Sequence, residues 1–200
     1  GRGGGRLLLV RRGRGGGLAM RGRWLKVMLL SGSFLTLALY ALLRPPPAPV
    51  AVEVASPEVV RRLTLAEIKA LPALEREGSY QNRFGNWQGQ GRYRGVLLWE
   101  LIQAALGEVE VGEAVVIGED GYRVSFPLDR LLDPEYPVVL AFSRDGQEPP
   151  AWEDGPQVAV LPQDGGVSNA EYGVDSAGAF WVKNVVRIEV LPPAGPGEGG

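Results

Sequence analysis

The chain has 200 residues, with 21 Lys or Arg against 23 Asp or Glu, and it contains no Cys and no His. A chain of this length accommodates one domain of about 150 residues plus an appendage. The missing side chains exclude thiolate nucleophiles, Ser-His-Asp triads, zinc sites with His or Cys ligands, and iron–sulfur clusters. Any metal held by protein side chains would have to be a hard cation with oxygen ligands, or arrive with a cofactor.

The net charge of −2 conceals two parts of opposite sign. Residues 1–44 hold nine Lys or Arg and no acid, so the 12 basic and 23 acidic residues that follow give −11. Nucleic acid is not expected as a partner, because phosphate binding needs a basic surface and the main body of the chain is acidic.

A membrane anchor is predicted at residues 20–44. Residues 27–43 form an uncharged run of 17, which is the short end of the length needed to span a bilayer. Arg21, Arg23 and Lys26 precede the run and favour a cytoplasmic N-terminus. We therefore predict a signal anchor, one transmembrane helix, with the domain on the extracytoplasmic side at the cell surface or in the periplasm. A cleaved signal peptide is the alternative, but the run is followed by Arg-Pro-Pro-Pro and not by small residues.

The remaining flanks are of low complexity. Residues 1–19 form a low-complexity arm with eight Gly and five Arg. Met20 is a natural first residue for the signal anchor, so no function is assigned to the arm. Residues 45–61 begin with Pro-Pro-Pro-Ala-Pro and are predicted to be a linker. Residues 192–200 are predicted to be a disordered tail.

Two helices are predicted in the body. Thr64 and Glu67 have the spacing of a capping box and open a short helix that extends to Leu71, before a proline. Residues 97–106 place four apolar side chains at i, i+3, i+4 and i+7, and Gly107 follows as a C-terminal cap.

Strands are predicted around these helices. Residues 115–117 and 122–126 flank an Asp-Gly turn and are typical of a β-hairpin. Further strands are predicted at 138–142 and 158–161, and a closing strand in which Val186, Ile188 and Val190 alternate with polar residues. The body is therefore predicted to be α+β.

Four segments, in order, resemble those of one family. They are YRGVLLWELI at 93–102, EDGYRVSFPL at 119–128, VLAF through GPQV at 139–158, and WVKNVVRIEV at 181–190. Together they resemble the oxidoreductase molybdopterin-binding domain, which has the sulfite-oxidase fold. The resemblance covers residues 62–191 and implies a mixed β-sheet domain of that type.

The resemblance extends less well to the family's chemistry. Enzymes of this family hold molybdenum through the pterin dithiolene and one protein cysteine, in the segment that corresponds to residues 78–85. That segment has no Cys, and the amides of Gln81 and Asn82 do not replace a soft thiolate donor. Oxo-transfer by the sulfite-oxidase mechanism is therefore not expected.

Binding of an anionic ligand remains compatible with the residues present. Arginines and aromatics are concentrated in one stretch, at Tyr80, Arg83, Phe84, Trp87, Arg92, Tyr93 and Arg94. Guanidinium forks suit phosphate or carboxylate, and aromatic faces suit a flat heterocycle. Lys183 matches a family lysine near the cofactor. We predict Asn82, Arg83, Arg94 and Lys183 as cofactor-binding residues, with molybdopterin as the candidate. The alternative is that Phe84 and Trp87 belong to the core and the arginines pair with acids.

A second candidate site is the Gly-rich loop from Asp164 to Glu171, with Asp175 beyond it. Oxygen donors in such a loop suit calcium, but the spacing fits no EF-hand, and a solvated loop is the favoured interpretation.

Two functions follow from these observations. The first is an anchored binding or accessory redox module, whose partner is a redox protein or a small anionic ligand. The second is a molybdopterin-dependent oxidoreductase that binds its cofactor without a protein thiolate. The absent cysteine favours the first.

Overall fold

The computed structural model describes residues 50–194, whose strands form two sheets. The strands are β1 (Val50–Ala55), β2 (Val60–Thr64), β3 (Leu74–Gln81), β4 (Trp87–Leu97), β5 (Glu113–Gly118), β6 (Arg123–Pro127), β7 (Val138–Arg144), β8 (Gln157–Val160) and β9 (Val185–Leu191). The helices are α1 (Leu65–Lys69), α2 (Leu98–Leu106), α3 (Leu128–Leu131), α4 (Asn169–Tyr172) and a 3-10 helix (Ala177–Phe180). The predicted α+β class is confirmed.

The first sheet has the order β2-β1-β9-β5-β6 and the second β3-β4-β7-β8. β1 runs parallel to β9, with Glu53 opposite Arg187, while the other neighbouring strands are antiparallel. The Glu53 carboxylate lies 2.7 Å from Arg187 Nη1 and 3.0 Å from Arg62 Nε. One side chain of β1 therefore links the strands on both sides of it.

The core lies on both faces of β7, a strand buried over nearly its whole length. Val138, Leu140 and Phe142 belong to the main apolar cluster, together with buried residues of the first sheet and α2. Val139 and Ala141 point to the other face, into a smaller cluster with Tyr93, Trp152 and Trp181. A continuous apolar run is what a strand covered on both faces requires.

Both predicted helices are confirmed. Thr64 Oγ1 accepts a hydrogen bond from the Glu67 backbone N–H at 3.3 Å, and the Thr64 N–H donates to the Glu67 carboxylate at 2.8 Å. The Glu67 carboxylate accepts from both the Thr64 N–H and the Thr64 hydroxyl, and these two bonds hold the pKa of Glu67 below its usual value. α1 ends at Lys69, before the predicted Leu71. α2 buries the four apolar residues of the predicted face, and Gly107 follows it with φ of 74°.

The predicted hairpin is confirmed as β5 and β6, with Val115 opposite Ser125. The closing strand is confirmed as β9, but its predicted alternation is wrong at Val186, which is exposed while Val185 is buried. A register shift between β5 and β9 at Ile117 and Gly118 accounts for the difference. An irregular residue moves the side chains beyond it to the opposite face.

The first sheet begins earlier than predicted. Residues 45–61 were assigned to a linker, whereas residues 50–55 form β1, between β2 and β9. Alternating valines in this segment, with Val52 and Val54 fully buried, are the signal of a strand. The predicted arm at 1–19, the anchor at 20–44 and the tail from 195 onward lie outside the described residues. No helix within residues 50–194 is long and apolar enough to cross a bilayer.

The hairpin of β3 and β4 was not predicted, because glycine in a strand lowers the local β propensity. Here the glycines make room for aromatic rings. A Cβ on Gly89 or Gly178 would lie 2.5 Å from the Tyr80 ring, and one on Gly78 would lie 3.1 Å from Trp181. The hairpin is therefore specified by long-range packing that a local pattern does not contain.

Gly95 lets β4 approach β7. A Cβ at this position would lie 2.3 Å from the Leu140 carbonyl oxygen and 2.6 Å from Ala141 Cα. We expect Gly95→Ala to lower the free energy of unfolding by at least roughly 1–3 kcal/mol, the cost of overpacking against atoms that cannot move aside.

Urea denaturation of the two proteins measures this loss. Gln88→Ala, at an exposed position of the same strand, is the matched control and should change stability by no more than about 0.5 kcal/mol. Equal stability of Gly95→Ala and Gln88→Ala would contradict the close approach.

Candidate functional site

A groove of about 560 Å³ lies on the surface of the second sheet, and nearly all of its lining side chains are polar or charged. We call it the charged groove, and its lining residues are Glu75, Glu77, Arg92, Arg94, Ser143, Asp145, Gly146 and Glu148. The volume is within the range of small-ligand sites.

Strand register places the charged side chains together. Glu75 lies opposite Arg94, and Glu77 opposite Arg92, across the antiparallel pair of β3 and β4. Because side chains alternate along a strand, all four project from the same face of the sheet. Arg94 also lies opposite Ser143 of β7. The charged groove is therefore built on three adjacent strands.

A bulge orients the third of these strands. Arg94 pairs with Ser143 but Gly95 pairs with Ala141, which leaves Phe142 as an extra residue on β7. Phe142 is buried in the main apolar cluster, and Arg94 Cζ lies 5.9 Å from the centre of its ring. The guanidinium of Arg94 thus lies at the edge of the core, on a residue that pairs with Ser143.

Most charges in the groove are matched by a partner. Arg92 Nε lies 3.0 Å from Glu77, and Arg92 Nη1 lies 3.7 Å from Glu75. The hydrogen bond that Arg92 donates to Glu77, followed by the charges of Glu77 and Glu75, raises the pKa of Arg92. Glu148 pairs with Lys69 of α1 at 2.8 Å.

Asp145 is held at the opposite side of the groove. Its Oδ1 accepts a hydrogen bond from the Arg92 backbone N–H at 2.8 Å, and its Oδ2 lies 3.6 Å from Arg144 Nε. Each of the four carboxylates of the groove is therefore within reach of a cation.

Arg94 and Ser143 have no such partner among the described residues. Within residues 50–194, the Arg94 guanidinium makes no ion pair or hydrogen bond, and the Ser143 hydroxyl makes no hydrogen bond. Ser143 is only 7% exposed, yet it lines the groove. The hydroxyl of this largely buried serine and the unpaired guanidinium, both lining the groove, supply the donors that a carboxylate or an oxyanion would take.

The sequence identified only part of this site. Arg94 was predicted and lines the charged groove, and Arg92 belonged to the predicted aromatic and arginine stretch. Ser143, Glu75 and Glu77 were missed. Their signal is the alternation of charged residues in Glu75, Glu77, Arg92 and Arg94, which becomes meaningful once β3 and β4 are known to pair.

Asn82 and Arg83 lie at the turn between β3 and β4. The Asn82 side chain accepts hydrogen bonds from the backbone N–H groups of Phe84 and Asn86, at 2.9 and 3.1 Å, so it shapes the turn. Arg83 is exposed, with Cζ 4.6 Å from the centre of the Phe84 ring. Arg94 is seven residues along β4 from Trp87, so roughly 23 Å of strand separates it from this turn.

Lys183 is engaged elsewhere. Its Nζ lies 3.1 Å from the Asp154 carboxylate, just before β9 begins. Among four surface grooves of residues 50–194, Arg94 lines the largest, and none is lined by Asn82, Arg83 or Lys183. The four predicted residues therefore do not meet in one groove.

The aromatic and arginine residues of the stretch at 80–94 lie in different parts of the domain. Phe84 is 72% exposed and Trp87 46% exposed, so the alternative that placed them in the core is wrong. The same alternative paired the arginines with acids, which holds for Arg92 but not for Arg94. Tyr93 is buried on the opposite face of β4 from the charged groove, where it packs edge-on against Trp181.

The Gly-rich loop is partly helical. Ser168 caps α4 by accepting a hydrogen bond from the Glu171 N–H, which is a second Ser-x-x-Glu signal that was not recognised as a helix start. The Glu171 carboxylate accepts from Ser168 Oγ at 2.5 Å. Within residues 50–194, no group of three or more acidic side chains is placed to hold a metal ion.

Comparison with solved structures identifies a similar fold. The sulfane dehydrogenase SoxCD from Paracoccus pantotrophus matches with a TM-score of 0.50 and 18% sequence identity, over 74% of this chain and 40% of that one. A scan of protein families and a search of curated proteins give no match. The chain thus spans less than half of its structural neighbour, and the likeness supports a distant relationship in fold, consistent with the sulfite-oxidase type.

The residues present do not fit a thiolate-ligated molybdopterin. The segment 78–85 supplies no sulfur, and in the structure it is the end of β3 and a tight turn. The Asn82 side chain is engaged in the turn and Lys183 pairs with Asp154, while Arg83 lies in the turn before β4 and Arg94 near the far end of that strand. No common cradle for the cofactor is formed by the four predicted residues.

Tyr93 packs on the face of β4 opposite the charged groove. The pH dependence of stability tests the burial of its hydroxyl. Its hydroxyl donates to the Gly89 carbonyl at 2.7 Å, and burial raises the pKa of Tyr93 to about 12. Tyr93→Phe removes this bond and should cost about 1 kcal/mol at pH 8. The unfolded tyrosine ionises near pH 10, so the stability that neutral Tyr93 contributes is complete below pH 10 and is lost as pH rises towards 12.

Urea denaturation at pH 8 and pH 11 measures both effects. The wild-type advantage over Tyr93→Phe should shrink at the higher pH, because Tyr93 ionises in the unfolded chain while it stays mainly neutral in the folded one, and the variant has no such hydroxyl. An advantage that is the same at both pH values would contradict the burial of this hydroxyl.

Proposed function

We propose that this domain is an anion-binding module built on a sulfite-oxidase-like fold, and that it works without thiolate-bound molybdenum. The observation that carries the proposal is the pair of Arg94 and Ser143, which present uncommitted donors in the charged groove. The absence of any cysteine from the chain supports the second part, because no other side chain here is a comparable soft ligand.

The groove favours a small ligand with one anionic end. The Arg94 guanidinium can bind a carboxylate or an oxyanion through two parallel hydrogen bonds, and the Ser143 hydroxyl can donate a third. The carboxylates of Glu75, Glu77 and Glu148 surround this position, so the other end of the ligand should carry hydrogen-bond donors or a positive charge. A ligand with more than one unshielded negative charge would be repelled by these carboxylates.

The location of the module is part of the proposal. The uncharged run at residues 27–43 and the basic residues before it support a membrane anchor that leaves the domain on the extracytoplasmic side. A domain held there could present its ligand to a redox protein in the same membrane or in the surrounding compartment.

A molybdopterin-dependent oxidoreductase without a protein thiolate is the second candidate. The likeness to SoxCD favours it, since that neighbour is a dehydrogenase. It would require Arg83, Arg94 and Lys183 to act on one cofactor, although roughly 23 Å of β4 separates Arg94 from the turn that carries Arg83. The first candidate needs only residues that are already adjacent.

Binding of formate or acetate to the chain, followed by calorimetry, tests the anion site, because each carries a single negative charge. A hydrogen bond to a charged group contributes about 1.5–3 kcal/mol, so Arg94→Ala should weaken binding by about 10-fold to 100-fold. Ser143→Ala should weaken it by less, because the hydroxyl is a neutral donor.

Arg83→Ala is the matched control, since Arg83 is also an exposed arginine without an ion pair in the described part of the chain. It should leave the affinity for these anions unchanged. Equal losses in Arg83→Ala and Arg94→Ala would show general attraction to positive charge and would contradict a site in the charged groove.

A further inference from the structure

One end of the domain gathers the start of β1 and the turn between β5 and β6. β1 is parallel to β9, with Glu53 opposite Arg187, so Val50 starts level with the residues that precede β9. The turn after β5 meets them there, because the Glu119 N–H donates to the Asn184 carbonyl at 2.9 Å. The chain therefore enters the domain beside this turn.

Direct contacts connect this end to the turn between β3 and β4. The Tyr122 hydroxyl donates to the Ala179 carbonyl at 2.8 Å, in the 3-10 helix. Gly178, in the same 3-10 helix, packs against the Tyr80 ring of β3. Asn169 completes the connection, as its side chain accepts from the Ala177 N–H and donates to the Asn82 carbonyl, both at 2.8 Å.

The exposed aromatic side chains of residues 50–194 are confined to these two hairpins. Phe84 is 72%, Trp87 46% and Tyr122 44% exposed, while the other exposed large apolar side chains are aliphatic. The nearby charges are mixed: Arg83 lies over the Phe84 ring, and Glu119 and Asp120 form the other turn. A surface with these mixed charges is not polybasic. Its attraction to a binding partner must therefore come from the aromatic rings.

We propose that these two turns, with Phe84, Trp87 and Tyr122, form a surface that rests on the lipid bilayer. Trp and Tyr side chains are enriched at the level of lipid headgroups, where an apolar ring and a polar edge are both accommodated, and an exposed Phe ring adds apolar area to such a surface. The inference rests on the membrane anchoring proposed above. It goes further by naming the face of the domain that meets the lipid.

The length of the connection supports this occupant. The apolar run ends at Leu43 and β1 begins at Val50, so a fully extended connection spans at most roughly 25 Å. A domain tied so closely by the start of β1 must keep that end near the bilayer. The exposed aromatics lie on the turns that are in contact with this end, whereas Leu132 lies beyond the far end of β6.

Single cysteine variants of the full chain test the surface directly, because the chain has no Cys of its own. Phe84→Cys and the control Leu132→Cys, which is 50% exposed, are each labelled with an environment-sensitive fluorophore and reconstituted into phosphatidylcholine vesicles. We expect the label at position 84 to shift to shorter wavelength and to be quenched by lipids that carry a nitroxide at the headgroup. The label at 132 should be quenched by aqueous iodide instead.

Added salt should leave the behaviour of the label at 84 unchanged, because screening weakens charge attraction but not the insertion of an aromatic surface. A strong loss of quenching in high salt would overturn the aromatic basis of the contact. If the chains remain with the vesicles but iodide quenches both labels to the same extent, the proposed lipid contact is overturned while the anchoring stands. The exposed aromatics would then bind a protein instead. Chains that do not fractionate with the vesicles would overturn the anchoring and this surface with it.

Discussion

The close approach of β4 to β7 at Gly95 is the constraint on which the charged groove depends. The two backbones pass so near each other at this point that a single Cβ would meet a carbonyl oxygen. The bulge next to Gly95 turns Phe142 into the core and leaves Arg94 opposite Ser143. Without this contact, the Ser143 hydroxyl and the unpaired Arg94 guanidinium would not line the same groove.

The second sheet has a different chemistry on each face around β4. Tyr93, Trp152 and Trp181 make a buried aromatic layer on one face, with Tyr93 and Trp181 edge-on to each other. Arg92 and Arg94 project from the other face, among carboxylates that cross-strand pairing places beside them. The aromatic layer fixes the strand, and the fixed strand holds the guanidiniums in position. A small anion can therefore be met by donors that need little reorganisation.

Local patterns predicted those elements that local interactions specify. The capping box of Thr64 and Glu67, the apolar face of α2 and the turn between β5 and β6 all depend on residues close in sequence. The hairpin of β3 and β4 could not be found in this way, since its glycines serve ring packing by Tyr80 and Trp181. Ser143 could not be identified as a site residue either, because its position beside Arg94 arises from strand pairing.

A domain that binds a small anion in the charged groove in place of molybdopterin should carry neither the metal nor its pterin. The direct measurement is molybdenum by mass spectrometry, together with pterin fluorescence, on the full chain purified from a host that makes the cofactor. Metal and pterin no higher than in a preparation of an unrelated protein from the same host are the expected result. One molybdenum and one pterin per chain would contradict a module that works without the cofactor and would favour the oxidoreductase alternative.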